Sequence, residues 1–368
     1  MSADLLVTRS SMPPIEEYIK EVSLLWESHW ITNMGAKHNQ FETELKSWLK
    51  ISNIALFANG HSALECVLEA MQLQGEVITT PFSFASTAHA IKRKNLTPVF
   101  ADIKPDDYTV DPDSIRELIT SRTCAIVPVH VYGNLCDVDA IQEIADEYGL
   151  KVIYDAAHAF GVEFDGVSAA LFGDASMFSF HATKVFNTIE GGAVCFKDPS
   201  LYDTLNQWKN FGITGPESVE YVGGNAKMNE FCAAMGICNL RHLDEEIAKR
   251  KVVAERYWRN LSNTPGVRLC RPPKDIKYNY AYLPVVFEDE FGATRDEVFD
   301  ELARHGVRAR KYFYPLISDY ECYRGVYASE RTPVAADVAK RVLTLPMYAD
   351  LVLSDVDRIC GIVKECAR

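Results

Sequence analysis

Lys184 is the residue whose surroundings in the sequence point most directly to chemistry. It lies in a polar turn between two apolar segments, 177–180 and 193–196, which are predicted to be strands. Lysine is almost never fully buried unless it is paired, but an amine held between buried strands can act as a Schiff-base nucleophile. A solvated lysine in a hairpin loop is the alternative, and the short pattern from Ser179 to Lys184 is compatible with both.

The segments upstream of Lys184 alternate between short apolar strands and helices. Strands are predicted at 54–58, 77–81, 97–102, 125–130 and 151–154. This alternation is typical of a mainly parallel sheet with helices on both faces, and such sheets bind ligands beyond the carboxyl ends of their strands. We therefore expect one edge of the sheet to bring together the residues that follow these strands, namely Gly60, His61, Phe84, Asp155, His158 and Ser179.

Three of these strand ends have a ligand interpretation and a structural one. The turn at 59–62 opens a helix, whose free N–H groups can bind an anion, although any strand-to-helix turn looks similar. Phe84 is placed to stack on a ring, or it is a core phenylalanine. Asp155 ends a buried strand, where a carboxylate needs a cation or good donors; a protonated pyridine is one such cation, and a cap of its own turn is the alternative. His158 could equally be a hydrogen-bonded core histidine.

Composition sets limits on the partners of the chain. The 368 residues allow one large domain or two, and the net charge of -13 argues against a nucleic-acid-binding protein without excluding a small anionic substrate. Ten cysteines occur without a C-x-x-C pair, so we expect free thiols in a reducing compartment and no metal site. Neither a signal peptide nor an apolar run of membrane-spanning length is present, which predicts a cytoplasmic protein with no membrane partner.

Two domains are predicted, a large α/β domain at 1–240 and a smaller α+β domain at 241–368. The large domain begins with helical sequence at 12–50 that breaks at 30–35. A long helix is predicted at 229–261. The small domain is expected to contain a strand at 280–287, a helix at 294–305 and a terminal helix from 354.

A lysine that can form an imine, an acid for a pyridinium, an aromatic ring and a helix N-terminus with a serine together match the requirements of pyridoxal 5′-phosphate. The sequence resembles the DegT/StrS family of nucleotide-sugar aminotransferases over nearly its full length. The matching segments are 59–64, 80–84, 129–133, 155–158, 179–184, 190–192 and 224–225. The resemblance implies the aspartate-aminotransferase fold, which is fold type I of the pyridoxal-phosphate enzymes.

The resemblance also implies a role for each matching residue. Lys184 would bind the cofactor covalently and later move the proton, with pyridoxamine 5′-phosphate as the intermediate form. The remaining cofactor contacts implied are the pyridine nitrogen to Asp155, the ring hydroxyl to His158, the ring face to Phe84, and the phosphate to Gly60, His61 and Ser179. Asn225 would reach the cofactor of a neighbouring subunit, which implies a homodimer with shared active sites.

The sugar position is indicated by His181, three residues before the lysine. In the family, histidine here accompanies amination at the 4-position, and tyrosine accompanies amination at the 3-position. The resemblance therefore implies catalytic roles for Lys184, Asp155 and His181, with L-glutamate as donor and dTDP-4-dehydro-6-deoxy-D-glucose as acceptor. The product would be dTDP-4-amino-4,6-dideoxy-D-glucose. Further substrate contacts are expected from Asn33, Lys311 and Tyr314, with either Lys311 or Arg310 at the diphosphate.

The sequence departs from the family pattern at several positions, and three other functions stay open. His61 replaces the usual threonine, so its phosphate contact is expected from the backbone; the histidine that many relatives have after Leu316 is absent. The alternatives are an aminotransferase acting at the 3-position or on a UDP-sugar, a sugar dehydratase, and a non-catalytic regulator. In the dehydratases histidine replaces the lysine, so Lys184 argues against that alternative.

Overall fold

The computed structural model describes residues 4–327 and 331–368. Its α-helices are α1 (Ile15–Ser28), α2 (Ala36–Leu49), α3 (Gly60–Ala70), α4 (Ala85–Arg93), α5 (Pro112–Leu118), α6 (Val138–Tyr148), α7 (Leu201–Trp208), α8 (Glu230–Leu261), α9 (Arg295–Arg304), α10 (Pro333–Arg341) and α11 (Leu353–Glu365). Its strands are β1 (Ile54–Phe57), β2 (Glu76–Thr79), β3 (Thr97–Phe100), β4 (Thr123–Ile126), β5 (Lys151–Asp155), β6 (Glu163–Phe164), β7 (Val167–Ser168), β8 (Ala175–Ser179), β9 (Gly192–Phe196), β10 (Ile213–Gly215), β11 (Ser218–Val219), β12 (Val267–Leu269), β13 (Ile276–Lys277), β14 (Leu283–Phe287) and β15 (Val342–Leu345).

The central element is a seven-stranded sheet in the order β1-β9-β8-β5-β4-β2-β3. All neighbouring pairs are parallel except those of β9, which runs antiparallel to both β1 and β8. The carboxyl ends of β1, β5 and β8 therefore point to the same edge, and β9 begins there. The predicted α/β architecture with a mainly parallel sheet is confirmed.

The sheet is buried on both faces, which explains its near-continuous apolar strands. In β1, Ile54 and Leu56 pack into the core under α2 and α8, whereas Ala55 and Phe57 pack on the opposite side with α3. This alternation follows from the two-residue period of a strand. Helices on both faces are what a parallel sheet requires.

The carboxyl-terminal part forms a second core around an antiparallel sheet, β12-β14-β15, covered by α9 and α11. The 32-residue helix α8 contributes to both cores, up to Ile247 in the first and from Val253 in the second. The predicted division between residues 240 and 241 thus lies inside α8, and that division stays a prediction.

Within the described ranges, none of the helices is both long enough and apolar enough to traverse a bilayer. The N-terminal segment before α1 packs along the small sheet: Leu5 pairs with Val307, and the Met347 N–H donates to the carbonyl of Val7. It then reaches the turn of Lys184, where Asn187 Nδ2 donates to the carbonyl of Ser11 at 3.0 Å.

Candidate active site

A cavity of about 640 Å³ opens at the carboxyl edge of the large sheet. Most of the residues that the sequence singles out line this cavity: Gly60, His61, Phe84, Asp155, His158, Ser179, His181 and Lys184. They come from segments far apart in the sequence, and the common direction of β1, β5 and β8 brings them to one place. This is the location expected for a ligand in an open α/β sheet.

The turn after β1 offers an anion-binding cradle. The N-cap Asn59 accepts a hydrogen bond from the Ser62 N–H at 2.8 Å, and the N–H groups of Gly60 and His61 have no acceptor among the described residues. Ser179 lines the same cavity beside Gly60. Free N–H groups at the start of an eleven-residue helix, with a serine beside them, are suited to a phosphate.

Two glycines allow the cradle to close. A Cβ added at Gly60 would lie 2.9 Å from Cβ of Ser179, and one added at Gly192 would lie 2.6 Å from the backbone nitrogen of Gly60. Real Cβ atoms do not approach backbone this closely, so β9 can lie against the turn only because residue 192 is glycine.

The side chain of His61 is held by its neighbours instead of pointing freely at the cradle. Its Nδ1 lies 2.9 Å from Oγ of Ser86, and its Nε2 lies 3.5 Å from Oε1 of Glu65. The backbone N–H of His61 is thus left available to an anion, and its contact with the phosphate stays a prediction.

Asp155 ends β5 in a buried position. Its Oδ2 accepts a hydrogen bond from the Thr87 hydroxyl at 2.6 Å, and its Oδ1 accepts one from the Ala157 N–H at 3.1 Å. Burial raises the pKa of this carboxyl above its usual value, while the two hydrogen bonds and the charges of Lys184 and His61 lower it. A buried carboxylate that gains only part of the stabilisation it needs is suited to a cationic ligand atom.

His158 is a neutral donor that faces the cavity. Its Nδ1 accepts a hydrogen bond from the Tyr132 N–H at 3.1 Å, which places the ring proton on Nε2. Burial, together with the charges of Lys184 and Arg310, holds the pKa of His158 well below its usual value. The ring therefore presents an N–H to a ligand and stays uncharged.

Lys184 is half-buried in a turn that hydrogen bonds fix at both ends. Its N–H donates to the carbonyl of His181 at 2.9 Å, and the Thr188 N–H donates to the carbonyl of Phe180 at 2.9 Å. The same turn is also bound to α8, because the backbone carbonyl of Asn187 accepts a hydrogen bond from Nδ2 of Asn239 at 2.8 Å. The amine thus projects into the cavity from a rigid backbone.

His181 and Phe84 lie on more exposed walls of the cavity. Nδ1 of His181 accepts from the Thr183 N–H at 3.3 Å, and its Nε2 lies 3.6 Å from Oε1 of Glu190. The Phe84 side chain is 51% exposed although it is large and apolar. An apolar ring left open to a cavity is available for stacking.

The small domain adds three residues to the cavity, Tyr282, Arg310 and Tyr312. The Arg310 guanidinium lies 4.2 Å from the ring centroid of Tyr312. From the sequence, Arg310 is only an alternative to Lys311, Tyr312 belongs to the expected substrate-pocket segment 310–314 without a role of its own, and Tyr282 is not expected at the site. No local pattern singles out either tyrosine, because both reach the cavity through packing between the two cores.

Four predicted residues lie outside the cavity lining. Lys311 Nζ pairs with Asp296 Oδ1 at 2.6 Å. Cζ of Arg295 lies 4.7 Å from the ring centroid of Tyr314. The other two, Asn33 and Asn225, are exposed residues outside the helices and the named strands, and Asn225 forms an isolated bridge with Asn210. Oδ1 of Asn225 accepts a hydrogen bond from Lys227 Nζ at 3.0 Å. Of the two cations considered for the diphosphate, Arg310 lines the cavity and Lys311 does not.

The residues present fit pyridoxal phosphate. The cradle at Gly60 and Ser179 has unused donors for a phosphate, the buried Asp155 carboxylate suits a protonated ring nitrogen, and Nε2–H of His158 suits a ring hydroxyl. The Lys184 amine is in the same cavity.

Comparison with known proteins agrees with this fit. Residues 14–364 match the DegT/DnrJ/EryC1/StrS aminotransferase family. A dTDP-4-amino-4,6-dideoxy-D-glucose transaminase of Shigella dysenteriae is 40% identical over 99% of this chain and 100% of its own length, and one of Escherichia coli is 42% identical over 94% of each. The structure of DesI in the presence of its TDP-sugar product superposes with a TM-score of 0.95 and 35% identity, covering 100% of this chain and 93% of the other. The chain belongs to the DegT/DnrJ/EryC1/StrS aminotransferase family and is a pyridoxal-phosphate-dependent nucleotide-sugar aminotransferase.

Proposed function

We propose that the enzyme transfers the amino group of L-glutamate to the 4-keto carbon of dTDP-4-dehydro-6-deoxy-D-glucose, giving dTDP-4-amino-4,6-dideoxy-D-glucose. The observation that supports this most is the match, over nearly the whole chain, to two transaminases named for that amino sugar. His181 on the cavity wall is consistent with amination at the 4-position, which the family resemblance implies.

The residues of the cavity have separate roles in this proposal. Bound pyridoxal phosphate supplies a carbonyl that accepts the amino group and a ring that withdraws electrons. Lys184 Nζ attaches the cofactor and then carries a proton to and from the reacting carbon. Asp155 keeps the ring nitrogen protonated by its negative charge, and His158 donates Nε2–H to the ring hydroxyl. The N–H groups of Gly60 and His61, with the Ser179 hydroxyl, hold the phosphate, and Phe84 covers the ring face.

A visible spectrum tests donor and acceptor together. L-glutamate should bleach the cofactor absorbance of the purified enzyme, and dTDP-4-dehydro-6-deoxy-D-glucose should restore it, with the amino sugar identified by mass spectrometry. Restoration only by a UDP-sugar or a 3-keto isomer would replace the proposed acceptor. Absence of bleaching by glutamate would refute the proposed donor, and Lys184→Ala is the control that should lose the covalent cofactor.

The proposal includes a homodimer with shared sites, in which Asn225 contacts the cofactor of the other subunit. Large apolar side chains are exposed on α1, just after it and on the loop before Asn225: Trp26 is 67% exposed, Trp30 56% and Phe211 48%. Surfaces of this kind are commonly covered by another protein chain.

Mixing two inactive variants tests the sharing. A hybrid of Lys184→Ala and Asn225→Asp subunits contains one intact site only if Asn225 acts across the interface. Activity should therefore reappear when the two variants are unfolded, mixed and refolded together. No recovery in verified hybrids would mean that Asn225 acts within its own subunit or not at all.

A further inference from the structure

Arg310 is the one arginine that lines the cavity within the described parts of the chain. Its guanidinium has no carboxylate partner there, although it stacks on Tyr312. The nearby cations differ in this respect, because Arg308 pairs with Asp4 at 2.7 Å and Lys311 pairs with Asp296 at 2.6 Å. An arginine whose charge is left unpaired at a cavity is available to an anionic ligand.

The backbone under Arg310 is fixed. Its N–H donates to the carbonyl of Thr344 at 3.0 Å, and its carbonyl accepts from the Thr344 N–H at 2.8 Å, which attaches it to β15. The ring of Tyr312 supports the guanidinium from one side. The guanidinium charge also acts on His158, another residue of the cavity lining: after burial and the charge of Lys184, it is the third cause that lowers the pKa of His158.

The anionic groups of the cofactor have partners elsewhere, so Arg310 is left for the substrates. The cradle at Gly60 and Ser179 serves the phosphate, and His158 serves the ring hydroxyl. Both substrates of the proposed function, on which this inference rests, are anions: the donor carries two carboxylates and the acceptor a diphosphate. Both bring their reacting carbon to the same cofactor, so they occupy the cavity in turn.

We propose that Arg310 is a shared anion anchor that binds a carboxylate of the amino donor in one half-reaction and the diphosphate of the nucleotide sugar in the other. A planar guanidinium forms two parallel hydrogen bonds with either a carboxylate or a phosphate. One residue can thus recognise both groups without a change in the protein backbone. Donor and nucleotide must then exclude each other.

Binding of two unreactive probes tests this inference. The probes are dTDP, which lacks the sugar, and glutarate, which is glutamate without its amine. In calorimetry with the cofactor-loaded enzyme, each should bind the wild type, and glutarate should displace dTDP competitively. Arg310→Gln should weaken both by about tenfold or more, which is typical of a lost charge-assisted hydrogen bond. Arg310→Lys keeps the positive charge but loses the planar guanidinium with its two parallel donors. Its affinity for each probe should lie between those of the wild type and Arg310→Gln.

The matched control is Arg308→Gln, two residues away on the same segment and outside the cavity lining. It should leave both affinities unchanged. Simultaneous binding of dTDP and glutarate to the wild type would overturn the shared anchor, and so would an Arg310→Gln variant that loses only one of the two ligands. Failure of the proposed acceptor gives a different result, because a UDP- or GDP-specific wild type would prefer that diphosphate to dTDP and still compete with glutarate. A wild type that binds a nucleoside diphosphate but no glutarate would refute the donor and the shared anchor together.

Discussion

The hydroxyl of Thr87 donates a hydrogen bond to Oδ2 of Asp155 at 2.6 Å, and both residues are buried. Oγ of Ser83, which lines the cavity, lies 3.3 Å from the same hydroxyl oxygen. Thr87 has one proton and gives it to the carboxylate, so Ser83 is the donor in the second contact. A chain of two hydrogen bonds thus leads from the cavity wall to Asp155 and favours its ionised form.

Replacing Thr87 by Val should weaken cofactor binding. The variant keeps the shape of the side chain and removes the donor, so the pKa of Asp155 rises further above its usual value. Because the ring nitrogen needs the ionised carboxylate, the loss of affinity should grow as the pH falls. We expect about tenfold weaker binding of pyridoxal phosphate near neutral pH, measured by equilibrium dialysis across a pH series. Thr87→Ser keeps the hydroxyl donor, so its affinity for pyridoxal phosphate should stay close to that of the wild type. If Thr87→Val bound the cofactor as tightly as the wild type, the hydrogen bond from Thr87 to Asp155 would not support cofactor binding.

Replacing Asp155 by Asn should stabilise the enzyme without its cofactor while it abolishes activity. Burial raises the pKa of Asp155 in the folded state above the unfolded value of 3.8. The stability contribution of such a group is present below pH 3.8 and is lost as the pH rises through the folded-state pKa. Asparagine is uncharged, and its amide can donate to the Thr87 oxygen. Thermal unfolding of the cofactor-free proteins should give the Asp155→Asn variant a Tm a few degrees higher than the wild type at pH 7, with the difference shrinking toward pH 4. A lower Tm at pH 7 would contradict this expectation.

Buried histidines should make the protein sensitive to mild acid. Burial lowers the pKa of His38 to about 4 and that of His130 to about 3, and it holds the pKa of His158 well below its usual value. The unfolded chain takes up protons near pH 6.5 while these residues stay neutral, so stability is present above that pH and falls as the pH drops from 6.5 toward 4. Each group contributes a slope of up to about 1.4 kcal/mol per pH unit.

His130→Asn isolates one of these groups. An asparagine carbonyl can replace Nδ1 of His130 as acceptor of the Cys136 N–H, which lies 3.1 Å away. The variant loses the stack on Tyr154, so its overall stability falls. Between pH 6.5 and 4 the variant should nevertheless take up about one proton fewer on unfolding, so its unfolding free energy should change less steeply with pH. Urea denaturation at several pH values measures this slope. An unchanged slope would mean that His130 titrates in the folded state.

Replacing Gly192 by Ala should damage the phosphate cradle. The new Cβ would meet the backbone of Asn59 and Gly60 at 2.6 Å, which forces the turn away from β9. We expect a loss of about 1–3 kcal/mol in stability and a clear drop in cofactor affinity. Gly361→Ala is the matched control, since nothing lies within 4 Å of its added Cβ inside α11. It should gain about 0.5–1 kcal/mol and leave cofactor binding unchanged.

Much of the fold is predictable because the chain has strong local patterns. The strand predicted at 193–196 is β9 within one residue, the helix predicted at 229–261 is α8, and the break at 30–35 separates α1 from α2. Strands predicted at 97–102 and 125–130 end earlier in the structure, at Phe100 and Ile126. Apolar residues continue past the last ladder pair there, so hydrophobicity alone cannot mark the end of the strand.

Some residues of the candidate site can be predicted from the sequence and others cannot. Residues that directly follow strands of the large sheet, such as Asp155 and Ser179, are predictable, because parallel strands deliver their carboxyl ends to one edge. Tyr282 and Tyr312 are not, because packing between two cores decides which side chains reach the cavity. Lys311 shows the difficulty: its partner Asp296 is a residue of α9 that no local pattern links to it.

Helix α8 links the two halves of the cavity as a single rod. With 32 residues it is about 48 Å long, and it is anchored in a separate hydrophobic core at each end. Bending it would disturb the packing of both cores at once. We therefore expect the distance between the cavity wall that carries Lys184 and the wall that carries Arg310 to stay nearly constant. We therefore expect the enzyme to select among nucleotide sugars by which of them span the distance between these two walls.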